Sequence, residues 1–365
     1  MRRICCFCET WESGGIESFL YNTLLHMDRS ELEIDIVAAR LGESIFTEEL
    51  LHQGICFREL SGDIRNLPQN FKLFLSLMQE RKYDVVHLNL YQGLSLYYCV
   101  LAKKAGIPVR IVHSHNTDLR KSLTRQLKYF LHNVGKHFFG ASATDRWACS
   151  VPAGEFLFSK KPFQVISNGI DVDKFCFNET CRSSMREAMG LTGKFVIGHV
   201  GRLSYQKNQS FLLDILAEAL KKEPNSVLLL IGDGSLRDEL EEKARKLHVA
   251  DHVVFYGVTN QVRELLWCMD VFVFPSHLEG LGIVAIEAQA AGLPVLCSEH
   301  VPAEANVTEL FQSLPLAAGE AVWAEKVLSL SAASREQFPE KVRAAGFDIT
   351  DSAKRIQNFF LRQVI

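Results

Sequence analysis

Two glutamates flank a glycine-rich turn in the segment SHLEGLGIVAIEAQAAGLPVLCSE, which spans residues 276–299. Glu279 directly precedes Gly280 and Gly282, and Glu287 follows within the apolar stretch IVAIEAQAA. A carboxylate accepts hydrogen bonds from two adjacent hydroxyls, so these residues suit neutral polyhydroxylated groups. The glycines allow close approach of a bound group, and a helix that starts near Gly280 offers free N–H donors to an anion. The pattern therefore suggests an anion with a sugar on each side.

An ordinary strand-to-helix corner explains the same spacing equally well: Glu279 would complement the helix dipole, and Glu287 would be a solvated helix residue. Arg202 and Lys207 bear on this choice, because both follow the strand-like run KFVIGHV in the loop GRLSYQKN. An arginine fork binds two phosphate oxygens, and a lysine adds a point charge. Such cations are often plain surface residues, but these two lie at a strand end in the same half of the chain as the glycine turn. We therefore expect a diphosphate site there.

Short apolar runs alternate with helical patterns along the whole chain, which predicts an α/β fold with parallel sheets covered on both faces. The chain has 365 residues, of which 47% are hydrophobic, and this is too long for one ordinary core. Apolar positions at helical spacing predict that the first helix packs on a sheet: Ile16, Phe19, Leu20, Leu24 and Met27.

The turn signal Asn168-Gly169, after the apolar run FQVIS, marks the expected domain boundary. We predict a doubly wound domain over residues 1–167 and a second over residues 168–345. Residues 346–365 are predicted to form a C-terminal helix that crosses back to the first domain.

The composition excludes several classes of protein. A net charge of −3 provides no basic excess for nucleic acid, and no stretch approaches the ~20 apolar residues of a membrane span. The start MRRICCFCET lacks the length and the cleavage site of a signal peptide. The cluster Cys5, Cys6 and Cys8 has no second half for a zinc site. We therefore expect a cytoplasmic protein in a reducing environment.

The segments GRLSYQKN, VVFYG, DVFVFPSHLEGLGIVAIEAQAAGLPVL and VISNGID resemble the retaining glycosyltransferases of family 4, which have the GT-B fold. The resemblance covers nearly the whole chain and is most specific at the two glutamates. It is nearest to bacterial enzymes that build capsular or exopolysaccharide repeats. It implies two Rossmann-like domains that face each other across a cleft, the first for the acceptor and the second for the donor. The expected donor is a nucleotide-sugar, most simply a UDP-sugar, and the expected acceptor is a saccharide or a lipid-linked saccharide.

The resemblance also implies roles for individual residues of the second half. Arg202 and Lys207 would hold the diphosphate of the donor. Glu287 would bind the ribose hydroxyls. Glu279 would contact the donor sugar as a catalytic residue.

Further positions of the second half would act through the backbone. Gly280, Leu281 and Gly282 would lie near the donor phosphate, and residues 253–257, which end in Gly257, would border the base. Leu281 stands where phenylalanine is commoner in the family. We expect little consequence, because that position acts through its backbone.

Two features of the first half match the family. Gly14 and Gly15 open the first predicted helix; such pairs are mostly plain turns, but this one matches the glycine loop that admits donor phosphate and acceptor. His113 and His115 end the strand VRIVHSH on the same side. Histidines at strand ends are commonly structural, and no further metal ligands stand at suitable spacing. The family implies a histidine beside the reacting sugar, and His115 is the better match, as a neutral imidazole that binds a donor hydroxyl or stabilises developing charge.

The implied reaction transfers a sugar from a nucleoside diphosphate to an acceptor hydroxyl with retention of configuration. It needs no divalent metal, because the cations and the helix start stabilise the departing diphosphate. Glu279 and Glu287 are not expected to act as a glycosidase pair, because eight positions on a helix span about 12 Å, whereas retaining glycosidases need ~5 Å. Two alternatives remain: an epimerase of similar fold, for which no acid–base constellation stands out, and a non-catalytic nucleotide-sugar-binding protein.

Residues 120–138 are the most basic part of the chain. Basic and apolar side chains alternate there: Arg120, Lys121, Arg125, Lys128 and Lys136 with Leu127, Phe130, Leu131 and Phe138. We expect this segment to contact an anionic surface, peripherally on the inner face of the cell membrane. A core-facing helix with a solvated basic face is an equal alternative.

Overall fold

The structure is a computed structural model that describes residues 1–119, 125–331 and 334–362. The chain forms two compact units. Unit 1 comprises Met1–Ile170 and Phe347–Ile365, and unit 2 comprises Asp171–Gly346. The divisions thus fall three residues after the predicted boundary at 167/168 and one residue after that at 345/346.

In the described part of the chain, unit 1 contains a seven-stranded sheet in which every pairing is parallel. The strands are β1 Arg2–Trp11, β2 Leu32–Leu41, β3 Cys56–Glu59, β4 Val85–Leu90, β5 Val109–Ser114, β6 Asp145–Ala148 and β7 Gln164–Val165. Their spatial order is β3-β2-β1-β4-β5-β6-β7, so the order reverses between β1 and β4. Such a reversal opens a crevice at the carboxyl ends of the two strands, where ligands bind in doubly wound folds.

Helices cover both faces of this sheet, as the near-continuous burial of β1 requires. They are α1 Gly15–Leu25, α2 Thr47–His52, α3 Leu67–Arg81, α4 Tyr97–Lys104, α5 Arg125–Phe139 and α6 Val151–Phe158. The predicted apolar face of α1 is buried, and Met27 is buried too although α1 ends at Leu25.

The C-terminal helix of the chain, α14 Ile349–Leu361, belongs to unit 1. Asp348 caps it by accepting a hydrogen bond from the Thr350 N–H at 2.8 Å. Ile356 and Phe360 enter the same hydrophobic core as β1 and α1. The first strand and the last helix are therefore parts of one core.

Unit 2 has a parallel sheet of six strands among the described residues, in the order β10-β9-β8-β11-β12-β13. The strands are β8 Phe195–Val200, β9 Ser226–Ile231, β10 Val253–Gly257, β11 Val271–Phe274, β12 Val295–Ser298 and β13 Phe311–Leu314. The helices are α7 Glu179–Ala188, α8 Gln209–Leu220, α9 Arg237–Lys246, α10 Val262–Cys268, α11 Ile283–Ala290, α12 Glu320–Ser329 and α13 Phe338–Ala344. The strand order reverses between β8 and β11, and the loops after these two strands carry Arg202, Lys207 and Glu279.

Candidate functional site

The loop after β8, residues 201–208, continues the pairing of β8 with β9 beyond the end of the strand. The Gly201 N–H donates to the Ile231 carbonyl at 2.9 Å, and the Leu203 N–H donates to the Asp233 carbonyl at 3.0 Å. Arg202 is exposed between these two paired positions. The loop is thus held by its backbone while its arginine faces solvent.

The loop after β11 leads into α11 through Gly282. Gly282 has φ 82° and ψ 49°, the left-handed region that favours glycine, and a Cβ there would lie 3.2 Å from the Phe274 ring. The helix consequently begins at Ile283, so the predicted start near Gly280 is wrong. Glu279 lies before the helix, and the 12 Å spacing argued for an unbroken helix does not apply. Leu281 is buried, and Gly280 is half-buried.

The two loops of unit 2 are joined by an ion pair and by backbone contacts. Lys207 Nζ lies 2.7 Å from Glu279 Oε1 and 4.5 Å from the centre of the Phe274 ring. Gln206 adds two bonds: its Nε2 donates to the Leu278 carbonyl at 2.9 Å, and its own carbonyl accepts from the His277 N–H at 2.8 Å. The structure therefore brings Lys207 and Glu279 together at the reversal point of the sheet.

The Lys207–Glu279 pair is largely buried, with side-chain exposures of 19% and 6%. Desolvation offsets most of the attraction in such a pair, so its net contribution to stability is small. Removal of one partner is costly, by ~3–5 kcal/mol, because the other charge stays buried without compensation. The pair therefore fixes the position of the two charged groups more than it stabilises the fold.

Glu287 lies one turn into α11 and is half-buried. Burial disfavours its charged form and raises the pKa of its carboxyl to about 7. Within the residues that the structure describes, the carboxylate has no ion pair or hydrogen bond. Such an acid is available to accept hydrogen bonds from a ligand.

Gly257 ends β10, two strands away from β8. It has φ 86°, and its carbonyl accepts from the Gly232 N–H at 2.8 Å. Val253 to Gly257 are half-buried. The strand that is predicted to border the base therefore ends at the same carboxyl edge of the sheet as the loop after β8, and it is the outermost strand on that side.

The glycine pair of unit 1 divides into two different positions. A Cβ on Gly14 would lie 2.7 Å from Glu17 Oε2, so this glycine makes room for a buried glutamate of α1. Glu17 in turn accepts from the Glu12 N–H at 3.3 Å. A Cβ on Gly15 would meet nothing within 4 Å. Gly14 therefore has a structural reason for its identity, and Gly15 borders open space.

Three histidines cluster at the carboxyl ends of β4 and β5. His113 and His115 lie on the same side, as strand alternation predicts, with ring centres 4.1 Å apart. His87 Nε2 lies 3.2 Å from His113 Nδ1, and the ring of Phe19 from α1 packs on all three imidazoles. Burial lowers the pKa of both His87 and His115 to about 3. The cluster is therefore neutral at physiological pH.

Asn89 on β4 defines the tautomer of His115. Its side-chain amide donates to the carbonyls of Phe7 at 3.3 Å and His87 at 3.4 Å, so its Oδ1 is the atom 2.9 Å from His115 Nε2. That oxygen can only accept, and Nε2 of His115 therefore carries the proton. Nδ1 of His115 is left as a hydrogen-bond acceptor.

The structure decides between the two orientations that the sequence left open for the basic segment. Arg120 and Lys121 lie outside the described residues. On α5, Lys136 Nζ donates to the Phe156 carbonyl at 2.5 Å, and Arg125 pairs with Asp118 at 2.8 Å.

The apolar side chains of α5 face outward instead. Leu127, Phe130 and Phe138 are 57%, 63% and 68% exposed, Lys128 is also exposed and Leu131 is half-buried. The alternative of a core-facing apolar side with a solvated basic face is therefore wrong. Among the described residues, no helix is long and apolar enough to cross a membrane.

Sequence reasoning identified the charged residues of the site but missed the polar residues that hold them: His199, Gln206, Asn208, Gln209 and His277. A signal was present for His199, because a histidine in the apolar strand FVIGHV must find a buried partner. Within residues 1–119, 125–331 and 334–362, no three His, Cys, Asp or Glu side chains are grouped so as to hold a metal ion.

The fold and the two loops define an α/β protein with charged groups at a reversal of strand order, where ligands bind in such folds. Comparison with known proteins gives the family. The family model "Glycosyltransferase Family 4" matches residues 13–174, and "Glycosyl transferases group 1" matches residues 182–336. The chain is also 30% identical over 363 residues to the putative glycosyltransferase EpsF of Bacillus subtilis, covering 95% of this chain and 93% of EpsF. The chain therefore belongs to the glycosyltransferase family that includes EpsF.

Two further proteins refine the comparison. The capsular polysaccharide biosynthesis glycosyltransferase CapH of Staphylococcus aureus is 25% identical, with 96% of each chain covered. The crystal structure of HepE from Anabaena in complex with UDP-glucose superposes with a TM-score of 0.81 at 20% identity, covering 98% of this chain and 99% of HepE. The fold is therefore GT-B.

Proposed function

We propose that the chain is a retaining glycosyltransferase that moves a sugar from a UDP-sugar to an acceptor hydroxyl. The observation that carries this proposal is the contact between Lys207 and Glu279, which joins the cationic loop after β8 to the loop after β11. The UDP complex of HepE supports a uridine donor. Retention rests on the resemblance of the two glutamates and their setting to family 4.

The diphosphate lies over the loop after β8 in this proposal. Arg202 and Lys207 neutralise its charge, and the backbone at Gly280, Leu281 and Gly282 approaches it before α11. An ammonium has three donors, so Lys207 can bind a phosphate oxygen and keep its bond to Glu279. Negative charge grows on the diphosphate as the bond to the sugar breaks, and groups already in place stabilise that charge without reorganisation.

The rings on either side of the diphosphate are held by neutral and acidic groups. Glu279 accepts from hydroxyls of the donor sugar, Glu287 accepts from the two ribose hydroxyls, and Gly257 borders the base. His115 accepts from a donor hydroxyl through Nδ1, and Gly15 leaves room for the incoming groups.

The departing phosphate takes the proton of the acceptor hydroxyl on the face from which it leaves, so the configuration is kept. No divalent metal takes part, because Arg202 and Lys207 supply the positive charge. Turnover that is unchanged by EDTA and not increased by Mg²⁺ or Mn²⁺ is the expected result, and turnover abolished by EDTA and restored by one of these ions would contradict it.

The decisive experiment offers the protein UDP- and GDP-linked sugars with and without saccharide and lipid-linked saccharide acceptors. Transfer requires donor and acceptor together and gives a product whose anomeric configuration, read by NMR, equals that of the donor. A changed donor without acceptor would indicate an epimerase. Donor binding without product would indicate a binding protein, and an inverted product would exclude retention.

The acceptor is proposed to be a lipid-linked saccharide in surface polysaccharide synthesis. The similarity to CapH, a glycosyltransferase of capsular polysaccharide biosynthesis, supports the polysaccharide. The exposed apolar side of α5 supports contact with a membrane surface, because Leu127, Phe130 and Phe138 project outward beside the exposed Lys128. Peripheral attachment to the inner face of the cell membrane would bring the enzyme to such an acceptor.

Liposome co-sedimentation tests this attachment. The double variant Leu127→Ser/Phe130→Ser should lose binding to vesicles that contain anionic lipid. Ile45→Ser/Leu51→Ser is the matched control, since these residues of unit 1 are also exposed and apolar. Wild-type protein that stays in the supernatant at low salt would exclude the membrane contact.

A further inference from the structure

The buried side chain of Gln209 holds the loop after β8, residues 201–208, in place. Gln209 is the first residue of α8 and is buried. Its Nε2 donates to the Arg202 carbonyl at 2.9 Å, and its Oε1 accepts from the Ser204 N–H at 3.2 Å. These two bonds go to the residues immediately before and after Leu203, at the point where the loop leaves the sheet.

His199 determines which way this amide points. Nδ1 of His199 lies 2.9 Å from the Val273 carbonyl of β11, which can only accept, so the proton is on Nδ1. Nε2 of the neutral ring is then an acceptor, and it lies 3.2 Å from Gln209 Nε2. Burial lowers the pKa of His199 to about 3, which keeps this arrangement at all ordinary pH values. A flipped Gln209 amide would set its oxygen against a bare ring nitrogen and lose the bonds to both Arg202 and Ser204.

The opposite side of the loop is closed by close backbone packing. A Cβ on Gly232 would lie 2.4 Å from the Gly201 carbonyl oxygen, a distance that real side chains do not adopt. The loop therefore has backbone contact on one side and the His199–Gln209 pair on the other, so it cannot shift in either direction without losing buried hydrogen bonds.

We infer that Gln209 and His199 are positioning residues for the diphosphate: they hold the loop so that Arg202 and Lys207 stand ready before the donor arrives. This inference rests on the proposed role of that loop in binding the diphosphate. A loop that is fixed in advance loses little conformational entropy on binding, so affinity for the diphosphate depends on this buried pair although neither residue touches it.

The test compares Gln209→Leu with Gln289→Leu. Gln289 on α11 is equally buried and is also bound to main chain, donating to the carbonyls of Ala285 and Ala305 at 2.8 Å and accepting from the Thr308 N–H at 3.0 Å. Both variants leave buried main-chain groups unpaired, so both should lower the melting temperature. Only Gln209→Leu should weaken the binding of UDP, by about 10- to 100-fold, which is about 1.4 to 2.8 kcal/mol and lies within the cost of leaving buried polar groups unpaired.

Binding of uridine separates positioning from general damage, because the nucleoside has no diphosphate. Calorimetry with UDP and uridine, repeated with GDP and guanosine, should show a loss confined to the diphosphates. His199→Phe is a second variant that keeps an aromatic ring at this position but removes the acceptor for Gln209 Nε2, and its loss should also be confined to the diphosphates. Equal loss of UDP binding in the Gln209 and Gln289 variants, equal loss of UDP and uridine, or full UDP affinity in Gln209→Leu would each overturn the inference. Wild-type protein that binds neither UDP nor GDP would instead contradict the proposed function.

Discussion

The two units use buried histidines at their strand ends in different ways. In unit 2, both ring nitrogens of His199 are bonded, and the resulting chain of bonds ends on the loop that carries Arg202. In unit 1, His113 is just as deeply buried, yet its Nε2 has no partner among the described residues. One unit uses a histidine to fix a loop, and the other gathers neutral rings around an acceptor nitrogen.

The difference follows the charge of the group that each edge would meet. The edge of unit 2 carries Arg202, Lys207 and Glu279. Charged groups that are already fixed stabilise a charged ligand more strongly, because no reorganisation is needed. The histidine cluster of unit 1 is neutral, because burial lowers the pKa of all three imidazoles. Neutral hydroxyls need only correctly placed donors and acceptors, which a defined tautomer provides.

The largest effect should follow loss of the two cations in unit 2. Arg202→Gln/Lys207→Gln should lower kcat/KM by about 10³-fold or more, because single preorganised charge-stabilising groups are worth about 10²–10³. The control Arg245→Gln/Lys246→Gln removes two exposed cations of α9 and should leave turnover unchanged. Unchanged nucleotide affinity and turnover in Arg202→Gln/Lys207→Gln would contradict the proposed binding of the diphosphate by these two cations of unit 2.

A smaller effect should distinguish the histidines of unit 1. His115→Phe should lower kcat by about 10- to 100-fold, since a hydrogen bond to the reacting sugar is lost. His113→Phe keeps a ring at this position and removes the unpartnered Nε2 together with the contact of Nδ1 with His87. Neither nitrogen is proposed to contact the sugar, so kcat should stay within about threefold of wild type. Steady-state kinetics at saturating donor, with melting temperatures for both, decides; equal losses would mean that the cluster acts only as packing.

The smallest effect concerns the pH dependence of donor binding. With a pKa of about 7, Glu287 is mostly protonated at pH 6 and mostly ionised at pH 8. Only the ionised carboxylate accepts from both ribose hydroxyls, so donor affinity should rise about tenfold over this interval. Glu287→Gln should bind weakly with no such slope. A slope that persists in Glu287→Gln would assign the titration to another group.

The same carboxyl should make the unliganded fold less stable as pH rises. Its pKa is higher in the folded than in the unfolded chain, so its stabilising contribution is complete below pH 4.5 and is lost as pH passes 7. The loss amounts to at most about 3.5 kcal/mol, at about 1.4 kcal/mol per pKa unit. Denaturant unfolding should show Glu287→Gln gaining on wild type between pH 5 and pH 8.

Local patterns predicted much of this molecule. Alternating apolar runs indicated the two parallel sheets, and helical spacing identified the buried side of α1. Arg202, Lys207 and Glu279 were singled out because they recur at strand ends in the same half of the chain and because their segments resemble those of family 4. The start of α11 was misplaced because the conformation of Gly282 depends on its contacts with Phe274 and Val301, which spacing does not reveal.

Residues that act through tertiary contacts were beyond reach. The bond from Gln209 to Arg202 and the bond from His199 to Val273 exist only once β8, β11 and α8 are packed. The outward apolar side of α5 was left open for a related reason: composition indicated an amphipathic helix but not which side faces the protein. In the structure, Lys136 is on the side that faces the protein, where its ammonium donates to the Phe156 carbonyl.

The placement of α14 has a consequence for synthesis on the ribosome. Unit 2 is one continuous stretch, whereas the core of unit 1 includes Ile356 and Phe360, and Arg2 donates to the carbonyl of Phe360 at 2.9 Å. Vectorial synthesis therefore delivers every residue of unit 2 before it delivers the last piece of unit 1. The apolar residues of β1 and α1 that pack against Ile356 and Phe360 therefore lack these partners until translation is nearly finished. During that interval we expect the nascent chain to depend most on chaperones.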